Sequence, residues 1–179
     1  GVMSNSNLAY EMEYREELID GKIVAMSPRP GWNHISIAAN IYNLFANYLH
    51  GKKCTAIPDG CDLFLTKEDR FVPDMMVVCD RDKIKTDGVH GAPDLVVEVL
   101  SPSTAKNDRF RKKNVYQLCG VREYWIADPA NRMVEQYFLA DGVLQLNAIY
   151  AVYRDWEIRQ MTEEERAAMV TRFKCSLFD

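Results

Sequence analysis

The chain has 179 residues, of which 47% are hydrophobic and 27% are charged. These fractions are typical of a globular protein, so they exclude disordered, collagen-like and coiled-coil classes. No apolar run approaches the roughly 18–20 residues of a membrane span, and we expect no signal peptide and no membrane partner. The net charge of −4 excludes a protein that coats nucleic acid through bulk positive charge.

The first half of the chain combines hairpin and helix patterns. Residues 1–9 are small and polar, so a disordered N-terminus is predicted there. Residues 17–26 place Asp-Gly between two apolar runs, a pattern typical of a β-hairpin. Residues 32–50 have apolar side chains at spacings of three and four, which predicts a helix that Gly51 ends.

Strand patterns dominate from residue 61. We expect strands at 61–66 and 71–79, then a polar loop at 80–91. Residues 94–100 are apolar on both faces, as in a central strand, apart from Glu98. The remaining expected elements are a helix to Cys119 closed by Gly120, strands at 123–127, 133–139 and 143–150, and a capped helix at 163–171. The order of elements predicts an α/β fold with a central mixed sheet flanked by helices.

The cysteines bear on the redox state of the protein. They are odd in number and form no CxxC pair, which argues against a disulfide framework or a zinc site. We therefore expect a reduced, cytoplasmic protein. The five cysteines are Cys54, Cys61, Cys79, Cys119 and Cys175.

Two carboxylates are notable because each lies alone in an apolar strand. A buried Glu98 costs several kcal/mol unless it is ion-paired or bound to a metal, and a structural ion pair is an equally good interpretation. Asp74, directly after Pro73, is the second acid. If both lie on one sheet face, they would bind Mg²⁺ or Mn²⁺. Asp94 is too far along the strand to share that metal, at ~13 Å from Glu98.

A basic segment at residues 106–113 follows this strand, and a solvated charged face is the simplest interpretation. Helical geometry separates its two last lysines: Lys112 and Tyr116 lean toward the protein, whereas Lys113 points to solvent. The apolar face behind this argument is defined by Val115, Leu118 and Cys119. Lys112 is therefore a candidate electrostatic catalyst beside the two carboxylates.

These motifs resemble the PD-(D/E)XK nuclease superfamily, in which a Pro-Asp, a later acid and a lysine form the site. The closest likeness is to a bacterial restriction-endonuclease-like branch. It covers about residues 10–150 and is most specific over 93–129. The matching motifs are Glu-Leu-Ile-Asp-Gly, Pro-Asp-Leu-Val-Val-Glu-Val-Leu-Ser-Pro-Ser-Thr, Lys112 with Tyr116, and Gly-Val-Arg-Glu-Tyr-Trp-Ile-Ala-Asp-Pro.

The resemblance implies a restriction-endonuclease-like fold over a single domain at residues 10–179. It also implies an endonuclease that depends on Mg²⁺ or Mn²⁺ and acts on DNA. Because nucleases that cut both strands commonly dimerise, we expect a homodimer. It implies that Asp74 and Glu98 bind the metal, together with the backbone carbonyl of Val99. The position two after Glu98 is Leu100 instead of the usual lysine, and Lys112 in the following helix takes the lysine's role.

Three accessory residues complete the hypothesis. Glu17 is a candidate outer ligand, although an exposed charge at a strand end is equally good. His34 would contact substrate phosphate or water, or would only begin the long helix. Tyr116 accompanies Lys112 on the inward helix face. The alternative function is a catalytically inactive nuclease-fold module that binds nucleic acid or protein.

Overall fold

The computed structural model describes residues 15–26, 30–151, 153 and 155–170, so the N-terminus expected to be disordered lies outside the described residues. A strand-rich block follows the first helix, as predicted. The strands are β1 (Glu16–Ile19), β2 (Lys22–Ala25), β3 (Thr55–Pro58), β4 (Leu63–Thr66), β5 (Asp69–Phe71), β6 (Met75–Val78), β7 (Ile84–Lys85), β8 (Gly88–His90), β9 (Leu95–Val99), β10 (Glu123–Asp128), β11 (Met133–Ala140) and β12 (Val143–Ala151). The helices are α1 (Trp32–Leu49), α2 (Lys113–Cys119), α3 (Asp155–Gln160) and α4 (Glu163–Val170).

The strands form two six-stranded mixed sheets. Sheet 1 has the order β2-β1-β5-β4-β8-β7, and sheet 2 has the order β12-β11-β10-β9-β6-β3. In sheet 2, β9 and β10 are parallel neighbours. The connection between them is helical, as parallel pairing requires, because the chain must return to the same edge of the sheet.

Sheet 2 is the central layer, with a separate apolar core on each face. On one face, Phe45 and Leu49 of α1 pack against inward residues of β6 and β9 such as Met75 and Val97. On the other face, Tyr116 of α2 and residues of sheet 1 pack against the alternate positions of the same strands. This arrangement confirms the predicted α/β fold with a mixed sheet flanked by helices. Sheet 1 was not predicted, since the sequence patterns do not say which strands pair.

Both Asp-Gly hairpins are confirmed. Asp20 and Gly21 join β1 to β2 with φ values of 52° and 72°. The same left-handed pair recurs at Asp141 and Gly142, between β11 and β12. Helix α1 is confirmed as well, and Gly51 follows it with a φ of 74°. The amide of Thr162 and the carboxylate of Glu165 form the predicted cap before α4.

Three local predictions are corrected. The strand expected at 71–79 divides at Pro73-Asp74, so that β5 belongs to sheet 1 and β6 to sheet 2. The loop expected at 80–91 contains a 3₁₀ turn and the short strands β7 and β8. Leu118, expected on the buried helix face, is 76% exposed. It lies two residues after the buried Tyr116, about 200° round the helix, and therefore faces outward.

The expected absence of disulfides is wrong. Cys54 and Cys79 form a disulfide that joins the ends of β3 and β6. The two residues continue the antiparallel register that pairs Thr55 with Val78, so their side chains face each other across the two strands. Spacing along the chain could not reveal this pair, because 25 positions separate the cysteines. Cys61 and Cys119 carry free thiols.

Within the described parts of the chain, every helix is too short or too polar to cross a membrane.

Reduction of the Cys54–Cys79 disulfide should lower the free energy of unfolding by about 2–4 kcal/mol, because the open chain gains conformational freedom when unfolded. Urea denaturation with and without reductant measures this difference. Cys61→Ser is the matched control, since it removes a thiol that is not bridged. Equal unfolding curves for oxidised and reduced protein would contradict the disulfide.

Candidate active site

The two predicted carboxylates lie side by side on one face of sheet 2. Strand β6 pairs with β9 in a register that sets Met75 opposite Val97, so the next pair in that register is Asp74 and Glu98. Both residues follow the alternation that directs Met76 and Val96 to the same core. Asp74 is 8% exposed and Glu98 is 2% exposed. The sequence prediction that two neighbouring strands present their acids on one face is therefore confirmed by the structure.

Lys112 is at the centre of the site. Its side chain is 3% exposed, and its Nζ lies 2.9 Å from Glu17 Oε2, 3.0 Å from Glu98 Oε1 and 3.4 Å from Asp108 Oδ1. An ammonium has three N–H donors, and Glu17 and Glu98 lie within hydrogen-bond distance of it while Asp108 lies slightly farther away. The helical-wheel prediction that Lys112 points inward is correct.

Glu17 and Tyr116 extend this network. Glu17 is buried, and its Oε2 also accepts a hydrogen bond from the amide of Val72, 2.9 Å away. The sequence left Glu17 as either an outer metal ligand or an exposed charge at a strand end, and its burial shows that the second interpretation is wrong. Tyr116 donates its hydroxyl proton to Glu98 Oε1 at 2.7 Å. Glu98 Oε1 thus receives both Lys112 and Tyr116, which fixes the orientation of that carboxylate.

Asp108 is a member of the site that sequence reasoning missed. It is 2% exposed and lies on a π-helical turn, Asn107–Lys112, that precedes α2. Its Oδ1 has no hydrogen bond within the described structure, although it lies against the charge of Lys112. The buried Tyr124 donates a hydrogen bond to the backbone carbonyl of Asp108 and holds this turn in place. The sequence feature that could have identified Asp108 is its position four residues before Lys112, where it is the single acid of a basic segment.

Burial and mutual charge shift the pKa values of the cluster. Burial raises the pKa of Glu98 well above its ordinary value; Lys112 opposes this shift, while Asp108, Asp74 and Glu17 add to it. The pKa of Asp108 is raised mainly by burial as well. Burial alone lowers the pKa of Lys112, but the surrounding carboxylates outweigh it and raise that pKa well above the usual range. Lys112 therefore stays charged, and the raised pKa values of Glu98 and Asp108 show that the carboxyl groups around it disfavour further negative charge.

His34 joins the site from the first turn of α1. Its Nε2 lies 3.3 Å from Asp74 Oδ1, and its side chain is 20% exposed. The hydrogen bond to Asp74 raises the pKa of His34, and a hydrogen bond to the backbone of Val99 adds to the shift. Asp74 Oδ2 in turn accepts the amide of Val99 at 2.7 Å. His34 is thus more than the start of a helix, because it contacts two of the expected metal-binding groups.

The rest of the basic segment does not enter the site. Arg109 forms ion pairs with Glu135 and Asp128. Lys113 lies over the ring of Tyr137, 4.4 Å from its centroid. Lys106 and Arg111 are exposed. Only Lys112 of the five cations turns inward, so the predicted basic strip is largely a solvated and ion-paired surface.

The donor set can be compared with what a divalent cation needs. Asp74, Glu98 and the Val99 backbone provide oxygen donors, the type that Mg²⁺ and Mn²⁺ prefer. Within the described residues, no three His, Cys, Asp or Glu side chains form a ready metal cage. Mg²⁺ commonly binds through one or two carboxylates and keeps several waters, so this donor set fits such an ion. The excess negative charge around Lys112 favours a cation at the same place.

The fold and this cluster define a restriction-endonuclease-like protein. The model of the Uma2 family, described as "Putative restriction endonuclease", matches residues 6–167, so the chain belongs to this family. A crystal structure of a putative nuclease belonging to DUF820 from Anabaena variabilis ATCC 29413 has a TM-score of 0.61 and 20% sequence identity. That match covers 73% of this chain and 75% of the other, and it shows the shared fold.

A curated relative is also similar. The uncharacterized protein slr1290 of Synechocystis sp. (strain ATCC 27184 / PCC 6803 / Kazusa) is 37% identical over 113 residues. The aligned region covers 61% of this chain and 58% of the relative. The chain therefore spans a little more than half the length of that protein.

Replacing Lys112 should strongly destabilise the fold. Lys112→Met leaves Glu17, Glu98 and Asp108 buried without their cation, which should cost about 3–5 kcal/mol. Urea denaturation at neutral pH measures the loss. Lys113→Met is the matched control; it removes a cation from an aromatic face and should cost about 1 kcal/mol or less. Equal losses in the two variants would contradict the central role of Lys112.

The pKa of Asp108 generates a prediction about pH. A raised folded-state pKa means that the folded protein binds this proton more tightly than the unfolded chain, so ionisation opposes folding. Asp108→Asn cannot ionise, so its stability relative to the wild type should be more favourable at neutral pH than near pH 3.8, the carboxyl's ordinary pKa.

Asp87→Asn is the control for this series, because the hydrogen bond from His90 lowers the pKa of Asp87. Its stability relative to the wild type should change in the opposite direction over the same pH range. Urea unfolding of the three proteins across the acid range tests both signs. Parallel stability curves for wild type and Asp108→Asn would show that Asp108 has no raised pKa.

Proposed function

We propose that the protein is a divalent-metal-dependent endonuclease that hydrolyses DNA phosphodiester bonds. The observation that carries this proposal is the buried group of Asp74, Glu98 and Lys112, assembled from two paired strands and the following helix. Membership of the Uma2 family supports the same class of activity. A purely structural role explains less well why several carboxylates surround one lysine.

Asp74, Glu98 and the carbonyl of Val99 would hold Mg²⁺ or Mn²⁺. Such an ion lowers the pKa of a bound water and polarises a phosphate oxygen. Tyr116 and Lys112 both donate hydrogen bonds to Glu98 Oε1 and thereby fix the orientation of that carboxylate. Their role is to maintain the orientation of Glu98 without occupying the mouth of the site.

Lys112 supplies a fixed positive charge behind Glu98, one of the carboxylates that would hold the metal. Its burial and its raised pKa keep it protonated, so it stabilises negative charge that develops nearby during hydrolysis. His34 is partly exposed beside Asp74, where it can hold a water molecule or a phosphate oxygen. We further propose a cytoplasmic protein, while homodimerisation stays a prediction.

Asp74→Asn and Glu98→Gln should each reduce cleavage of plasmid DNA at least about 100-fold, because each removes a metal ligand. Gel electrophoresis of supercoiled plasmid with Mg²⁺ measures this activity. The same variants should lose the rise in melting temperature that Mg²⁺ gives the wild type, since the cation binds only the folded protein. The melting experiment separates loss of metal binding from loss of chemistry.

Asp94→Asn is the matched control. Asp94 is four residues before Glu98, ~13 Å along the same chain direction, and its Oδ2 accepts the amide of Cys79. Asparagine retains that acceptor, so cleavage should persist. Full activity of Asp74→Asn or Glu98→Gln would overturn the assignment. DNA binding without any effect of Mg²⁺ would instead favour the inactive nuclease-fold module.

A further inference from the structure

The enclosed position of Lys112 raises the question of what binds the substrate's negative charge. Its side chain is 3% exposed, and its donors face Glu17, Glu98 and Asp108. A phosphate cannot reach this ammonium without displacing one of three buried carboxylates. If the proposed nuclease function holds, the metal serves the scissile phosphate, and a further cation near Asp74 would offset the repulsion between that carboxylate and the neighbouring phosphates of the backbone.

Arg15 is placed to do this. It directly precedes β1, the strand that carries Glu17, and its side chain is 38% exposed. Its guanidinium forms a two-pronged ion pair with Asp59, with N–O distances of 2.8 and 3.2 Å. The hydrogen bond that Arg15 donates to Asp59 is the main cause of the raised pKa of Arg15, and the charges of Asp74 and Glu17 contribute. Arg15 therefore lies within the electrostatic field of the site.

Asp59 directly follows β3, whose Pro58 pairs with Met75 of β6, so the next pair in that register is Asp59 and Asp74. Its side chain is 35% exposed, and its charge also raises the pKa of His34, after the larger effects of Asp74. Arg15, which pairs with Asp59, and His34, which contacts Asp74 Oδ1, thus lie near Asp74, and we call these three residues the mouth of the site. The half-exposed Arg15–Asp59 pair contributes little to stability, since such ion pairs are worth about 0–1 kcal/mol. It can open at small cost.

We propose that Arg15 is a substrate-binding residue that exchanges Asp59 for a phosphate of the DNA backbone next to the scissile bond. A guanidinium binds a carboxylate and a phosphate with the same two-pronged geometry, so the exchange needs no new arrangement of donors. Asp59 holds Arg15 at the mouth when no substrate is bound. It also competes with DNA, because it must release the guanidinium before a phosphate can bind.

This inference predicts opposite effects for the two partners. Arg15→Gln should weaken binding of a short fluorescein-labelled DNA duplex about 10-fold and lower the slope of log K against log salt by about one. Asp59→Asn should strengthen binding about two- to fivefold, because Arg15 is then free. Fluorescence anisotropy measures both, in an Asp74→Asn background that leaves the duplex uncut. In the otherwise wild-type protein, Arg15→Gln should raise KM with kcat nearly unchanged.

A double-variant cycle separates exchange from a general charge effect. If Asp59 acts by holding Arg15, Asp59→Asn should give no gain in affinity once Arg15 is glutamine. A persistent gain would mean that Asp59 only repels DNA, and would overturn the exchange. The matched controls are Arg122→Gln, at the opposite end of the parallel strand pair, and Asp141→Asn, in the left-handed hairpin turn. Both should leave affinity within about twofold.

The outcomes also separate this inference from the proposed function on which it rests. If the protein cuts DNA but Arg15→Gln binds and cuts like the wild type, Arg15 is not a substrate-binding residue and the nuclease assignment stands. If the parent protein neither binds nor cuts DNA, the nuclease assignment fails and the inference fails with it.

Discussion

The structure depends on one buried ammonium. Lys112 contacts Glu17 from sheet 1, Glu98 from sheet 2 and Asp108 from the π-helical turn between β9 and α2. Each carboxylate alone would be costly to bury, and three together would repel one another. One lysine compensates part of this charge and so ties the two sheets to the connecting helix. Because three carboxylates share one lysine, the cluster that holds the sheets together is also a place where a further cation would be favourable.

The connection between the two parallel strands explains where this lysine comes from. Leu100, two residues after Glu98, is buried and packs in the core beside sheet 1. A lysine there would come from the strand itself, whereas Lys112 approaches the same carboxylate from the crossover helix. The π-helical turn brings Asp108 and Lys112 together on its inner side, and Tyr124 holds the backbone of that turn. The crossover connection thus determines where the cation lies. A lysine from this connection can contact Glu98 in place of a lysine from the strand itself.

The contrast between predicted and missed residues follows from the range of the interactions. Asp74 and Glu98 could be identified because a lone acid in an apolar strand is visible locally, and Lys112 because helical periodicity orients it. Asp108 was hidden because its neighbours in sequence are basic and its role depends on β9. Arg15 and Asp59 are 44 positions apart, and the Cys54–Cys79 disulfide needs a strand register that no local pattern specifies. The fold class was predictable, whereas the division of the strands into two sheets was not.

Part of the acidity behind the net charge of −4 is concentrated at the candidate site. Three buried carboxylates, Glu17, Glu98 and Asp108, face one lysine, and the buried Asp74 lies beside Glu98, so part of the acidity lies where a divalent cation would neutralise it. The other cations of residues 106–113 do not compensate, because Arg109 is ion-paired, Lys113 lies on Tyr137, and Lys106 and Arg111 are exposed to solvent. Under the proposed function, a bound metal and the guanidinium of Arg15 would together offset this charge when a polyanion approaches. An acidic nuclease of this kind would engage DNA locally and would not bind it by charge along its whole surface.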